Sequence, residues 1–153
     1  MRKIYVIADL SGRMNEMGKN SVLEYLLRTT ADLFAQKKYS DIEPCFFSWN
    51  TEIIQLEPPF FVKCRGKSNL SALSDMLKET KDGSRVMLLS DGNFDYQPIL
   101  NTIKEKSLNV TGIVVGADAS MASMNRLTNG NAVNSDCIVA AVEKITDYLG
   151  EEE

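Results

Sequence analysis

The chain of 153 residues contains no histidine. This absence excludes Ser-His and Cys-His nucleophilic catalysis, a histidine general base and histidine metal ligands. A metal ion in this protein would therefore be held by oxygen atoms, which favours Mg²⁺, Ca²⁺ or Mn²⁺ over zinc or copper.

Cysteine is scarce, and its three positions, Cys45, Cys64 and Cys137, form no CxxC pair. We therefore expect neither a zinc cluster nor a disulfide framework, and reduced thiols in a cytoplasmic protein are the simplest interpretation. Long hydrophobic runs are also missing. The first apolar segment stops at Asp9, which is too short for a signal peptide or a membrane span, so we expect no membrane binding.

The sequence lacks a cluster of basic residues that would indicate a nucleic-acid-binding face, and its formal net charge is −4. Hydrophobic residues make up 44% and charged residues 25% of the chain, as is typical of a soluble globular protein. We predict a single domain over residues 1–150, followed by a short acidic tail over residues 151–153.

Short apolar runs alternate with amphipathic segments along the chain. The runs IYVIA, RVMLLS and LNVTGIVVG are typical of strands covered on both faces, and IEPCFFSWN with TEIIQLE predicts an antiparallel hairpin. Helices are predicted between these strands. The first begins at about Ser21, where Ser21 and Glu24 fit a capping box, or one turn earlier, and the last carries Leu149 on its apolar face and stops at Gly150.

This order predicts an α/β fold, with a doubly wound, mostly parallel sheet and one antiparallel edge strand. Asp9 and Asp91 each follow a buried strand directly, so both are expected at the carboxyl edge of the sheet, where such folds bind ligands. Ser11 lies two residues after Asp9, and Ser68 lies just before a predicted helix. Two carboxylates, two hydroxyls and water would suit an octahedral divalent ion, but turn and N-cap roles explain the same residues.

Three segments in order resemble the von Willebrand factor A domain, in particular its small bacterial cytoplasmic type found in tellurite-resistance-like systems. The metal-ion-dependent adhesion site of that family begins with D-x-S-x-S after the first strand, which DLSGR at residues 9–13 matches except at its last ligand. GKSNL at residues 66–70 is similar to the second element, with Ser in place of Thr. LLSDG at residues 88–92 is similar to the third.

The resemblance implies a non-catalytic module for protein–protein interaction. It implies Mg²⁺ or Mn²⁺ held by Asp9, Ser11 and Ser68, with Asp91 acting through water and an open position taken by a carboxylate of the partner protein. The neighbours expected to bind the partner or modulate the site are Arg13, Met14, Lys67 and Asn69. Aromatic residues and Met are enriched at interfaces, so any exposed member of the set Phe60, Phe61, Met14 and Met17 would be a natural contact.

Arg13 departs from the family pattern, because it stands where the second Ser would be. A guanidinium about 5 Å from a divalent ion would be repelled by roughly 7 kcal/mol at an effective dielectric of about 20. Two arrangements are open. Arg13 swings out to solvent on its long stem, or it folds inward and pairs with Asp9 or Asp91. We favour the first, which leaves a weakened but usable metal site.

A phosphate-binding or phosphotransfer function is the alternative. Gly66-Lys67-Ser68 resembles the end of a P-loop, and Asp91 follows an apolar strand in the manner of a Walker B aspartate. A P-loop requires a first Gly five residues before Gly66, and that position is Phe61. The absence of this glycine makes nucleotide binding the weaker hypothesis.

Overall fold

The computed structural model describes residues 1–147, within which six strands form one sheet. The strands are β1 (Arg2–Asp9), β2 (Ile42–Trp49), β3 (Ile53–Leu56), β4 (Arg85–Ser90), β5 (Asn109–Val114) and β6 (Ala132–Asn134). Their order in the sheet is β3-β2-β1-β4-β5-β6, and every neighbouring pair is parallel except β2 and β3. The predicted mostly parallel sheet with one antiparallel edge strand is confirmed.

Helices cover both faces of the sheet. They are α1 (Lys19–Phe34), α2 (Leu70–Lys78), α3 (Gln97–Lys106), α4 (Met121–Leu127) and α5 (Ile138–Thr146). Successive side chains of a strand point to opposite faces, and β1 shows the result: Ile4 and Val6 pack in the core with α1 and α5, whereas Ile7 packs in the core with α2, α3 and α4. The architecture is therefore a three-layer α/β/α sandwich.

Two predictions reach beyond residue 147. The end of the last helix at Leu149 and Gly150 lies outside the described residues, as does the acidic tail at residues 151–153. A single domain over residues 1–150 stays a prediction. Among residues 1–147, none of the helices has the length and apolar character needed to cross a bilayer.

Helix α1 takes the earlier of its two predicted starts, about one turn before the capping-box pattern at Ser21. A 3-10 segment, Gly12–Gly18, leads directly into it, and Gly18 precedes its first residue with a φ of +73°. Ser21 and Glu24 consequently lie inside the helix, and no side chain caps its first turn. The earlier start makes Lys19 the first helical residue, close to the carboxyl edge of the sheet.

The strand order reverses beside β1. The chain builds β2 and β3 on one side of β1 and then returns to place β4 on the other side. The carboxyl ends of β1 and β4 flank this switch point, where doubly wound sheets bind their ligands. Asp9 ends β1 and Asp91 follows β4, as predicted. We call the surface formed here by residues 9–19, 60–69, 90–93 and 116–118 the rim.

The turn after β4 depends on Gly92, whose φ is +73°. A Cβ there would lie 2.8 Å from the carbonyl oxygen of Ser120 and 2.8 Å from Cγ of Met124. We expect Gly92→Ala to lower the free energy of unfolding by roughly 3 kcal/mol, because a left-handed backbone and a clash add together. Urea denaturation measures this loss.

Gly83→Ala is the matched control, since Gly83 has a φ of +78° and open space around the position of a Cβ. Gly83→Ala should lower the free energy of unfolding by only about 1 kcal/mol, because it adds the cost of a left-handed backbone without a clash. Equal losses in the two variants would show that the contact with Ser120 adds nothing.

Candidate functional site

Two loops of the rim are held together by backbone hydrogen bonds. The amide of Gly12, in the loop after β1, donates to the carbonyl of Gly66, in the loop before α2, over 2.8 Å. This pairing brings Ser68 to the end of β1, where its Oγ donates to Oδ1 of Asp9 over 3.3 Å. Two predicted site residues far apart in sequence are therefore neighbours in space.

Asp9 is fully buried, and both of its carboxylate oxygens accept hydrogen bonds. Oδ1 accepts from the amide of Ser11 (3.1 Å) and Oγ of Ser68 (3.3 Å), and Oδ2 accepts from Oγ of Ser90 (2.7 Å) and Nη2 of Arg13 (3.0 Å). Burial raises the pKa of Asp9 above its ordinary value, while the hydroxyls of Ser90 and Ser11 and the charge of Arg13 oppose that rise. Ser90 was not among the predicted site residues.

Asp91 is also fully buried and is satisfied in the same way. Oδ1 accepts from the amide of Asn93 (3.0 Å) and Nη2 of Arg13 (3.1 Å), and Oδ2 accepts from Nε of Arg13 (3.3 Å) and Nζ of Lys19 (3.1 Å). Burial alone would raise the pKa of Asp91, but the hydrogen bonds from Arg13 and Asn93 outweigh it and hold that pKa below its ordinary value. Its contribution to stability is therefore complete above a pH of about 4 and is lost as the pH falls through the lowered value.

Arg13 lies between the two carboxylates. Its Nε and Nη2 form a two-pronged contact with Asp91, Nη2 also donates to Asp9, and Nη1 donates to Oγ of Ser68 over 3.2 Å. The side chain is 33% exposed, so one side of it still meets solvent. The arrangement that we favoured from the sequence, with Arg13 out in solvent, is not the one observed, because three hydrogen bonds to buried carboxylates and one to Ser68 outweigh its hydration.

Lys19 supplies a second cation that the sequence did not predict. Its side chain is 1% exposed, and Nζ lies 3.1 Å from Oδ2 of Asp91 and 3.1 Å from Oδ2 of Asp118. Burial alone would lower the pKa of Lys19, but the hydrogen bonds to these carboxylates raise it above its ordinary value. Gly116 makes room for the stem of Lys19, since a Cβ at Gly116 would lie 2.6 Å from Cδ of the lysine.

The donor set at the rim, as arranged, does not fit the predicted Mg²⁺ or Mn²⁺. An ionised carboxylate offers about four lone-pair sites, and each oxygen of Asp9 and Asp91 already accepts two hydrogen bonds. Among residues 1–147, no three acidic or cysteine side chains are grouped so that they could hold an ion. One feature of a metal site does remain: the buried Oγ of Ser11 lies beside the carboxylate of Asp9 but makes no hydrogen bond of good geometry within the described chain.

The predicted neighbours of the site fall into two groups. Met14 is fully buried in the core and cannot touch a partner, which corrects the expectation for that residue, and Phe60 is buried as well. Asn69 caps α2, where its side chain accepts from the amide of Ala72 over 3.2 Å. The exposed members are Lys67, Phe61 and Met17.

The phosphate-binding alternative gains no support from the loop geometry. Residues 66–68 follow the antiparallel edge strand β3 through an irregular segment, whereas a P-loop joins a parallel strand directly to a helix. The loop is paired through Gly66 with the β1 loop, and Lys67 points its side chain into solvent.

Neither a protein-family model nor a curated protein sequence matches this chain. Solved structures do. The manganese-loaded TRAP protein of Plasmodium vivax has a TM-score of 0.75 and 11% identity, over 95% of this chain and 73% of that one. Proximal thread matrix protein 1 of the mussel byssus, with a zinc-occupied MIDAS motif, has a TM-score of 0.66 and 9% identity, over 94% and 45% of the two chains. A von Willebrand factor type A protein of Catenulispora acidiphila has a TM-score of 0.63 and 10% identity, and the match covers 99% of this chain and 43% of that one.

These likenesses show the fold. The described chain has the von Willebrand factor A fold, as the sequence motifs predicted. Two of the three similar proteins hold a divalent metal, manganese in one and zinc in the other. The tellurite-resistance-like type stays a prediction.

Two buried serines of the rim offer a test of the hydrogen-bond assignment. Ser90 donates to Asp9 and accepts from the amide of Gly92, so Ser90→Ala should lower the free energy of unfolding by about 2 kcal/mol. Oγ of Ser11 makes no hydrogen bond of good geometry, so Ser11→Ala should change the free energy of unfolding by less than about 0.5 kcal/mol. Chemical denaturation of both variants measures the difference, and a loss at Ser11 as large as that at Ser90 would contradict the assignment.

Lys19→Met tests the buried cation. The change leaves Asp91 buried with one cation instead of two, and we expect a loss of about 3 kcal/mol in the free energy of unfolding. Lys106→Met is the matched control, because Lys106 pairs with Asp82, whose side chain is 81% exposed, and should lose less than about 1 kcal/mol. Similar losses would mean that Lys19 is only a packing residue.

Proposed function

We propose that this chain is a non-enzymatic protein-interaction module that captures an acidic segment of a partner protein at the rim. The observation that carries the proposal is a set of three exposed basic side chains beside the buried carboxylates: Lys63, Arg65 and Lys67. The von Willebrand factor A fold of the chain supports it, since one similar protein carries a MIDAS motif, although that motif is occupied by zinc.

The three basic side chains are available to a partner. Within residues 1–147, none of them makes a side-chain hydrogen bond or an ion pair, although the backbone between them is fixed. The amide of Arg65 donates to the carbonyl of Leu10 over 2.9 Å, which anchors the loop to the end of β1. The chain as a whole is acidic, with a net charge of −4, so this local positive charge would steer an acidic partner to the rim.

Large apolar side chains flank the basic loop. Phe61 is 78% exposed and Met17 is 66% exposed, on two loops joined by a hydrogen bond of 2.6 Å from Nδ2 of Asn15 to the carbonyl of Cys64. An exposed aromatic and an exposed Met next to cationic groups suit a segment that alternates acidic and apolar residues.

The groups at the rim are poorly placed for catalysis. Asp9 and Asp91 are held by Arg13 and Lys19, so neither is free to act as a general base. Burial, with a smaller effect of the charge of Asp9, raises the pKa of Cys64 to about 11, which keeps it a thiol at neutral pH. These features favour a binding role over hydrolysis or phosphotransfer.

A cytoplasmic location is part of the proposal. Cys45, Cys64 and Cys137 are all free thiols, the state that a reducing compartment maintains. The proposed capture uses side chains alone and needs no Mg²⁺ or Mn²⁺.

Selection of random peptides displayed on phage against the immobilised chain, in the presence of EDTA, tests the function. We expect the enriched peptides to be rich in Asp and Glu. In a binding titration with one such peptide, the combined change Lys63→Glu, Arg65→Glu and Lys67→Glu should weaken the affinity by about tenfold or more, because attraction becomes repulsion.

The control variant carries the same change of charge at the opposite edge of the sheet: Lys78→Glu, Lys81→Glu and Lys104→Glu, all at exposed positions. It should retain the affinity of the parent within about twofold. Equal weakening in both triple variants, or enrichment of peptides without acidic residues, would contradict the proposal.

A further inference from the structure

We propose that Arg13 and Lys19 are the resident cations of the rim and take the place predicted for a divalent metal ion. The inference concerns the chemistry of the rim itself and stands whether or not partner capture is confirmed. It predicts that the parent chain binds no divalent ion at the rim, and that removal of Arg13 creates such a site.

The charges support this replacement. Asp9 and Asp91 place two negative charges in a site without solvent contact, and Arg13 and Lys19 bring two positive charges to them, equal to the charge of one divalent ion. The distances from the cationic nitrogens to the oxygens of these two carboxylates are 3.0 to 3.3 Å. The third carboxylate, Asp118, is 37% exposed and also accepts from Lys19.

The arrangement of donors supports it as well. Every lone-pair site on the two buried carboxylates is taken by a donor, so an ion could enter only if a donor left. Arg13 contributes three of these contacts and a fourth to Ser68, so it fills the space between the predicted ligands Asp9, Ser68 and Asp91.

The hydroxyl of Ser11 is the predicted ligand that the two cations leave unused. Its Oγ is buried and makes no hydrogen bond of good geometry within residues 1–147, although it lies close enough to the carboxylate of Asp9 to lower the pKa of that group. Arg13 donates to Asp9, Asp91 and Ser68 but not to Ser11. In Arg13→Ser this hydroxyl would be available to a divalent ion together with Asp9 and Ser68.

The two cations differ in how deeply their side chains are buried. Lys19 is 1% exposed, and its stem lies across Gly116 where a Cβ would leave no room. Arg13 is 33% exposed and reaches the carboxylates from a loop. Arg13 is therefore the residue whose removal opens the site, and Lys19 is a permanent part of the rim.

Titration of the protein with Mn²⁺ alone tests the inference. Binding is measured by calorimetry and by the loss of the electron paramagnetic resonance signal of free Mn²⁺. The proteins are the parent, Arg13→Ser, the double variant Arg13→Ser with Lys19→Met, and Arg28→Ser, a control for loss of an exposed arginine paired with Glu24. We expect no binding by the parent or the control at any Mn²⁺ concentration used, and binding of one ion by Arg13→Ser with a Kd at least about tenfold below the highest of these concentrations. The double variant should bind at least as tightly as Arg13→Ser.

A second substitution assigns the site. Ser11→Ala in the Arg13→Ser background should weaken Mn²⁺ binding by about tenfold, although the same change in the parent leaves stability unaltered. If Arg13→Ser does not fold, as judged by circular dichroism, Arg13→Gln removes the charge and keeps a hydrogen-bonding side chain. Equal Mn²⁺ affinity in the parent and the folded neutral variant, or no binding by either, overturns the inference.

Discussion

The rim depends on one constraint, the burial of two carboxylates at the switch point of the sheet. Asp9 and Asp91 are brought together because β1 and β4 are adjacent parallel strands whose carboxyl ends share an edge. Two such charges cannot remain ionised without water unless cations and hydrogen bonds compensate them. Arg13 provides the compensation for both carboxylates at once, since a guanidinium offers several donors in one plane.

Other features of the rim follow from this compensation. Helix α1 begins at Lys19, which carries the second ammonium to Asp91, and the 3-10 segment before it turns Arg13 inward. Gly116 is left without a side chain so that the lysine stem can pass. Because the charges are neutralised inside, the positive charge that meets solvent comes mainly from the separate loop at residues 63–67.

The sequence predicts the fold well and the site in part, for reasons that individual residues make clear. Continuous apolar runs ending in Asp mark buried parallel strands, so Asp9 and Asp91 were placed at the correct edge of the sheet. The role of Lys19 as a buried cation was missed because the Ser21–Glu24 pattern put the helix start later. A lone Lys in a polar segment also gives no indication that its side chain is buried. Asp118, which follows β5, could have been found by the same reasoning as Asp91. The inward direction of the Arg13 side chain could not have been predicted, because a long side chain on a loop is oriented by tertiary contacts rather than by local propensity.

A cation carried by the chain has a different physical behaviour from a bound ion. Metal binding to the folded state stabilises it by mass action, so the charge of such a site follows the concentration of the free ion. Arg13 and Lys19 are covalently attached. Burial would lower the pKa of each, but hydrogen bonds with carboxylates outweigh it and raise both above their ordinary values, so their charges persist throughout the neutral range. An ion also leaves a coordination position for an incoming ligand, whereas the guanidinium of Arg13 directs four contacts to residues of its own chain. The interior of the rim therefore serves stability, and in the proposed function recognition belongs to the side chains around it.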